Sequence, residues 1–163
     1  MKVPETETDE ASVPVVLLQR LHPERDGDLP LPRYQSSGAA GADLAAAIEG
    51  TLTLAPLQRV LVPTGLGVAI PAGFEGQVRP RSGIAVRRGL TVANAPGTID
   101  SDYRGELLVA LVNLDAGPQT IVRGERIAQL VIAPVVQAQF AAVPTLPPTS
   151  RGTGGFGSTG QEG

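Results

Sequence analysis

Short apolar stretches separated by turn residues recur through most of the chain. Turns rich in glycine and proline divide them, for example Pro71-Ala72-Gly73 and Asp115-Ala116-Gly117-Pro118. Apolar runs of this length, bounded in this way, predict β-strands. The predicted strands cover 13–21, 51–54, 59–63, 65–70, 74–79, 90–93, 106–114, 119–122, 126–133 and 135–142. Many short strands at this spacing predict an all-β sandwich or barrel.

A helix is predicted in one place only, the short segment 82–88. The segment 22–38 predicts a long loop, because it is rich in Pro, Gly, Asp and Ser and has no periodicity. The segment 39–48 leaves two possibilities open. Its alanines favour a helix, whereas Gly41 and the short length count against one.

The two ends of the chain differ in character from the β-rich middle. Residues 1–12 are polar and acidic and are expected to be disordered. The proline-rich segment 143–148 predicts an extended, semi-rigid connection to the glycine-rich 151–160. The pattern therefore predicts a disordered head at 1–12, a β domain at 13–142 and a flexible C-terminal arm at 143–163.

Composition narrows the possible functions. With 3 Phe, 2 Tyr and no Trp, the core must be aliphatic, and a neighbouring subunit would help to complete its burial. A net charge of −3 argues against nucleic acid as the main partner. The absence of cysteine excludes disulfides and thiol catalysis. No apolar run reaches the ~18 residues of a membrane span, and the N-terminus lacks a secretory pattern, so we expect a cytoplasmic protein.

The segment 94–106 is the most unusual stretch of the chain. Asn94, Pro96 and Gly97 predict a tight bend, and the following residues include Asp100 and Tyr103. The apolar run 107–112 comes next and predicts a buried strand. A polar hairpin on a buried strand is typical of a binding or catalytic loop. An ordinary surface hairpin is the alternative.

Three other places carry candidate chemistry. Arg81 and Ser82 lie where a strand meets the predicted helix, so Ser82 could cap that helix or bind an anion beside the arginine. Asp43 lies among small and apolar neighbours, where it could bind a metal through water or bond its own backbone. Gln129 interrupts an apolar strand and either faces solvent or points into a site. The single histidine, His22, lies in a charged loop. Any hydrolysis would therefore use an aspartate that activates water beside a divalent metal.

Five segments in order resemble the motifs of the trimeric deoxyuridine triphosphatase (dUTPase) family. They are 40–44, 81–85, 94–106, 124–129 and 151–160. The resemblance spans about 13–160. It implies a β jelly roll, a homotrimer with active sites at the subunit interfaces, and Mg²⁺-assisted hydrolysis of dUTP to dUMP and pyrophosphate.

The resemblance also implies a role for each matching residue. Asp100 would orient and deprotonate the attacking water, Gln129 would help to hold it, and Asp43 would reach Mg²⁺ through water. The remaining substrate contacts would come from Arg81, Ser82 and Gly83 along the phosphates, Asn94, Gly97, Thr98 and Ile99 at the uracil edge, Tyr103 under the deoxyribose, and Arg151, Gly155, Phe156, Gly157 and Ser158 in the arm of another subunit.

Two alternatives remain at this point. Related deoxycytidine triphosphate deaminases need an acid beside the base, and the hairpin before Asp100 offers none. A dUTP-responsive binding module without turnover is the second alternative. The joint presence of Asp100, Gln129, Arg151 and Phe156 argues against it.

Overall fold

The computed structural model describes residues 13–154. Ten strands and two short helices make up this part of the chain. In order they are β1 (Leu17–Arg20), α1 (Pro23–Asp26), β2 (Ala42–Ala45), β3 (Thr51–Leu54), β4 (Arg59–Ala69), β5 (Phe74–Arg79), α2 (Ser82–Arg88), β6 (Leu90–Val92), β7 (Gly97–Ile99), β8 (Glu106–Asn113), β9 (Gln119–Val122) and β10 (Arg126–Pro134).

The strands form antiparallel sheets that enclose an aliphatic core. One four-stranded sheet has the order β1-β4-β8-β6, the other has the order β2-β10-β5-β7, and β3 pairs with β9. Leu44, Leu54, Val62 and Leu107 are fully buried in the shared core. Burial of each such side chain contributes about 1.5–3 kcal/mol. The predicted all-β jelly-roll fold and the aliphatic core are confirmed.

Several predicted elements differ from the structure. A helical turn, α1, lies inside the segment predicted as a loop, and the ambiguous 39–48 contains strand β2. The segments predicted as two strands at 59–63 and 65–70 form the single strand β4, whose register against β8 shifts between Pro63 and Gly67. Strand β7 lies within the segment predicted as a bend.

The prediction of a strand at 135–142 is wrong, because no strand forms there. The backbone N–H of Val135 donates to the carbonyl oxygen of Gly73 at 2.9 Å, and the chain then leaves the sheet. From there to residue 154 the described part of the chain has no helix or strand. Val136 is 91% exposed and Phe140 98% exposed. A β-prone apolar segment needs a partner strand, and none of the strands among residues 13–154 pairs with it.

An ionic cluster holds the loop that follows β1 against the β domain. Asp26 is 1% exposed, and its two carboxylate oxygens accept from Arg25 at 2.7 Å and from Arg123 at 3.3 Å. Hydrogen bonding by Arg25, and then by Arg123, holds the pKa of the Asp26 carboxyl below its usual range against the opposing effect of burial. Gly65 has φ +68°, and a β-carbon there would lie 2.4 Å from Oδ2 of Asp26. Only glycine therefore fits at this position.

No helix among residues 13–154 is both long and apolar enough to cross a lipid bilayer.

Candidate active site

Three polar side chains form a row across the outer face of the sheet β2-β10-β5. Gln129 of β10 lies opposite Asp43 of β2 on one side and Arg79 of β5 on the other. Directly paired residues share a face of a sheet, and their chain neighbours Leu44, Val78 and Leu130 are buried on the core face. The polar row therefore points away from the core. Gln129 points into a site rather than freely into solvent, since its Nε2 donates to the carbonyl oxygen of Pro80 at 2.9 Å.

Two arginines extend this row at Asp43. The Nε of Arg81 lies 2.8 Å from Oδ1 of Asp43, and Nη1 of Arg126 lies 3.0 Å from Oδ2. Arg81 also donates from Nη1 to the backbone carbonyl oxygen of Arg126 at 3.1 Å. Two guanidinium groups and an amide beside the start of a helix make a surface suited to phosphate oxygens. Arg126 was missed in the sequence because its segment has the appearance of an ordinary strand end.

The capping role considered for Ser82 is not observed. The N-cap of α2 is Arg81, and within the described residues no side chain caps the helix. Ser82 is the first helical residue and is exposed, so its hydroxyl is accessible beside Arg81. At Gly83 a β-carbon would lie 2.9 Å from Nη2 of Arg87, so glycine leaves room for that arginine.

The predicted hairpin is built on the edge of the same sheet. Strand β7 pairs with β5, with Gly97 opposite Val78 and Ile99 opposite Gly76. Asn94 folds back over Gly97, where a β-carbon would lie 3.1 Å from its Nδ2. Thr98 is exposed, whereas Ile99 is half-buried against the core. The turn contains a cis peptide bond between Ala95 and Pro96.

Tyr103 is fixed by contacts within the hairpin. Its hydroxyl donates to the carbonyl oxygen of Glu106 at 2.9 Å, and its backbone N–H donates to the carbonyl oxygen of Asp100 at 3.1 Å. A β-carbon at Gly105 would lie 2.3 Å from the tyrosine oxygen, so glycine is needed there. The ring remains 40% exposed and is free to contact a ligand.

Asp100 and Gln129 lie in separate clefts of one chain. Asp100 lines a cleft of about 330 Å³ with Glu75 and Thr98. Gln129 lines another, of about 410 Å³, with Pro80 and Pro96. Asp100 follows the Ile99–Gly76 pair, whereas Gln129 pairs with Arg79. Strand geometry separates the two by about 13 Å along the strands and about 10 Å across them. One chain therefore cannot present both residues to the same water molecule.

The predicted arm is only partly described. Arg151 is exposed, and its Nε donates to the carbonyl oxygen of Gly154 at 2.7 Å, in a local turn. The structure does not bring Arg151 to the other candidate residues. Gly155, Phe156, Gly157 and Ser158 lie outside the described residues, as does the predicted disordered head at 1–12.

The carboxylates do not form a metal site of their own. Within residues 13–154 no three His, Cys, Asp or Glu side chains come together in a way that could hold a metal ion. Both oxygens of Asp43 are engaged by arginines. Asp43 therefore has no free carboxylate oxygen for direct coordination of a metal.

Gly41 provides a test of the position of Gln129. A β-carbon at residue 41 would lie 2.4 Å from Oε1 of Gln129. The carboxamide carbon and Cβ of Gln129 would lie 3.0 and 3.1 Å away. We therefore expect Gly41→Ala to displace the amide, with a small fall in melting temperature, and to lower kcat for the expected dUTP hydrolysis by about tenfold. Gly38→Ala is the matched control, since no atom lies within 4 Å of its β-carbon. Steady-state kinetics and thermal melting check this, and unchanged kcat in Gly41→Ala would contradict the placement.

The chain matches known proteins over most of its length. The family model described as dUTPase matches residues 28–160. A deoxyuridine 5'-triphosphate nucleotidohydrolase of Anaeromyxobacter sp. (strain Fw109-5) is 58% identical over 91% of this chain and 100% of the relative. The protein of the same name from Methylocella silvestris is 63% identical over 82% and 84%. A mutant dUTPase of Staphylococcus bacteriophage 80alpha, solved with dUpNHpp, superposes with TM-score 0.79 at 26% identity, over 90% of this chain and 98% of that one.

Proposed function

Because this chain belongs to the dUTPase family, we propose that it hydrolyses dUTP to dUMP and pyrophosphate. The reaction limits uracil incorporation into DNA and supplies dUMP for thymidylate synthesis. The observation that carries the proposal is the polar outer face of the sheet, where Arg81 contacts Asp43 at 2.8 Å and Asp43 lies opposite Gln129. A triphosphate is the kind of anion that such a surface binds.

In the proposed reaction, Asp100 is the general base. It takes a proton from a water molecule that attacks the α-phosphorus, and pyrophosphate leaves. Asp100 is exposed at the mouth of its cleft, so a water molecule can reach its carboxylate. Gln129 is the second catalytic residue: its half-buried amide holds the same water and contacts the α-phosphate. Arg81, Ser82 and Gly83 bind the phosphate oxygens.

In this proposal the hairpin 94–106 selects the base and the sugar of the substrate. Asn94 and the backbone of Gly97, Thr98 and Ile99 contact the uracil edge. Tyr103 packs under the deoxyribose. Since its hydroxyl is already bonded to the carbonyl oxygen of Glu106, the ring is held in place and leaves no space for a 2′-hydroxyl.

The proposed active site is shared between subunits of a homotrimer. Asp100 and Gln129 are too far apart in one chain to act together, so a neighbouring copy must supply one of them. Val136 and Phe140 are apolar and almost fully exposed. Packing them against another copy would remove them from water. We propose that the arm at 143–163 closes the site of a neighbour, with Arg151 on the terminal phosphate, Phe156 on uracil, and Gly155, Gly157 and Ser158 around the phosphates.

Magnesium enters this proposal as part of the substrate, bound to the triphosphate oxygens. There it neutralises charge across the phosphates. Asp43 would reach it only through water, because its oxygens are held by Arg81 and Arg126.

A turnover assay against a panel of deoxynucleoside triphosphates, with and without Mg²⁺, tests the function. We expect dUMP and pyrophosphate from dUTP, with dCTP and dTTP nearly inert. Uracil formation from dCTP would instead indicate a deaminase. Tight dUTP binding without product would indicate a binding module.

A further inference from the structure

One carboxylate on the outer face of the sheet forms salt bridges with two arginines. Asp43 gives one oxygen to Nε of Arg81 and the other to Nη1 of Arg126, at 2.8 and 3.0 Å. The Asp43 side chain is only 9% exposed, whereas those of Arg81 and Arg126 are 27% and 49% exposed. The acid is thus largely covered, whereas both arginines beside it stay partly exposed.

A β-bulge accounts for the presence of Arg126 on this face. The register between β10 and β2 shifts between Arg126 and Ala128, and the two successive residues Ile127 and Ala128 are both buried. Strict alternation would put residues 126 and 129 on opposite faces. The extra residue returns Arg126 to the face of Gln129 and Asp43, which is the re-aiming of a side chain that bulges produce near functional sites.

The second arginine, Arg126, makes the cluster positively charged. Arg81 and Asp43 alone form a neutral pair, which attracts a polyanion weakly. With Arg126 the cluster carries one net positive charge, and each carboxylate oxygen is taken by a different guanidinium. Part of the Arg81 guanidinium then remains available to a phosphate oxygen.

We propose that Arg126 is a positioning residue of the phosphate site: it shares Asp43 with Arg81, keeps the cluster positively charged, and so leaves part of the Arg81 charge for a phosphate oxygen. This inference rests on the proposed function, because it assigns a role within the same site. It acts through the Arg126 side chain, since the backbone carbonyl oxygen that accepts from Arg81 is present whatever the side chain.

The test compares four proteins with the wild type: Arg126→Gln, Arg126→Lys, Arg126→Gln combined with Asp43→Asn, and Arg59→Gln. The last is the matched control, an exposed arginine of β4 in the other sheet with the same loss of charge. The readouts are KM and kcat for dUTP, and the dissociation constant of the imido analogue dUpNHpp. Wild-type turnover of dUTP, measured first, tests the proposed function separately, while ratios of analogue affinity between variants test the role of Arg126.

Arg126→Gln should raise KM and the analogue dissociation constant about tenfold, the usual size of a lost charge-assisted hydrogen bond, with kcat changed much less. Arg126→Lys should recover most of this affinity because it restores the charge. Asp43→Asn in the double variant removes the acid that would otherwise neutralise Arg81, so its affinity should return towards the wild-type value. The analogue dissociation constants are compared without Mg²⁺, where a water-mediated contact from Asp43 to the metal is absent in every protein.

Two results would overturn the proposal. One is an Arg126→Gln protein that binds dUpNHpp as well as Arg59→Gln does. The other is a double variant that binds more weakly than Arg126→Gln, as independent contributions would give. If Arg126→Gln alone failed to fold, the double variant would decide: near-wild-type affinity supports the shared role, and a tenfold or greater loss refutes it.

Discussion

Asp100→Asn should bind dUTP normally and lose about 10²–10⁴-fold in kcat, the range that general bases contribute. An amide has nearly the shape of the carboxylate but cannot accept the proton of the attacking water. The hairpin should keep its structure, because the backbone carbonyl oxygen of Asp100, not its side chain, accepts from the N–H of Tyr103. Single-turnover kinetics for the chemical step and titration with dUpNHpp for binding would separate the two effects.

Asp115→Asn is the control for this substitution. Asp115 lies in the turn after β8, and its Oδ1 accepts from the N–H of Gly117 at 2.9 Å, a bond that the asparagine oxygen can also accept. It should retain wild-type turnover. An Asp100→Asn protein with comparable turnover would remove Asp100 from the role of general base.

Ending the chain at Ser150 should leave a folded oligomer whose kcat/KM for dUTP is lower by about 10²–10³-fold, the loss expected when positioned donors to a developing charge are removed. The ten strands and both helices end by Pro134, so the truncation removes none of them. It does remove Arg151 and Phe156, which we propose close the site of a neighbouring copy. Size-exclusion chromatography, thermal melting and kinetics check the three parts of this expectation.

A chain that ends at Gly160 provides the comparison, because it loses only residues 161–163 and keeps the glycine-rich segment. It should behave as the full-length protein. If the chain ending at Ser150 also kept full turnover, the arm would not be a lid.

The bounds of the strands were predicted best for strands that bury one face against the core. The β5 and β9 bounds are as predicted, and β8 and β10 each differ by one residue. Their alternation directly reflects which side chains are removed from water. The strand predicted at 135–142 failed because apolar, β-prone residues also occur in segments that leave the sheet: Val136 and Phe140 are almost fully exposed.

The residues of the candidate site stay a prediction from the sequence, and their arrangement in space follows only from the structure. Asp43 and Gln129 are far apart in sequence, and only the β2–β10 register brings them opposite each other. Arg126 was missed because a bulge, which leaves no clear sequence signal, turns its side chain to the site. The distance between Asp100 and Gln129 within one chain could not be predicted from the sequence either. It depends on the order in which β10, β5 and β7 pair.

Mixed oligomers test most directly whether the site is shared between copies. Asp100→Asn and Gln129→Ala chains, each nearly inactive alone, would be unfolded together, refolded and assayed against each chain refolded separately. If one copy supplies Asp100 and another supplies Gln129, random assortment gives intact sites and restores about a quarter of wild-type turnover. If both residues act from the same chain, every site carries a defect, and turnover that stays at the level of the separate variants would contradict the shared site.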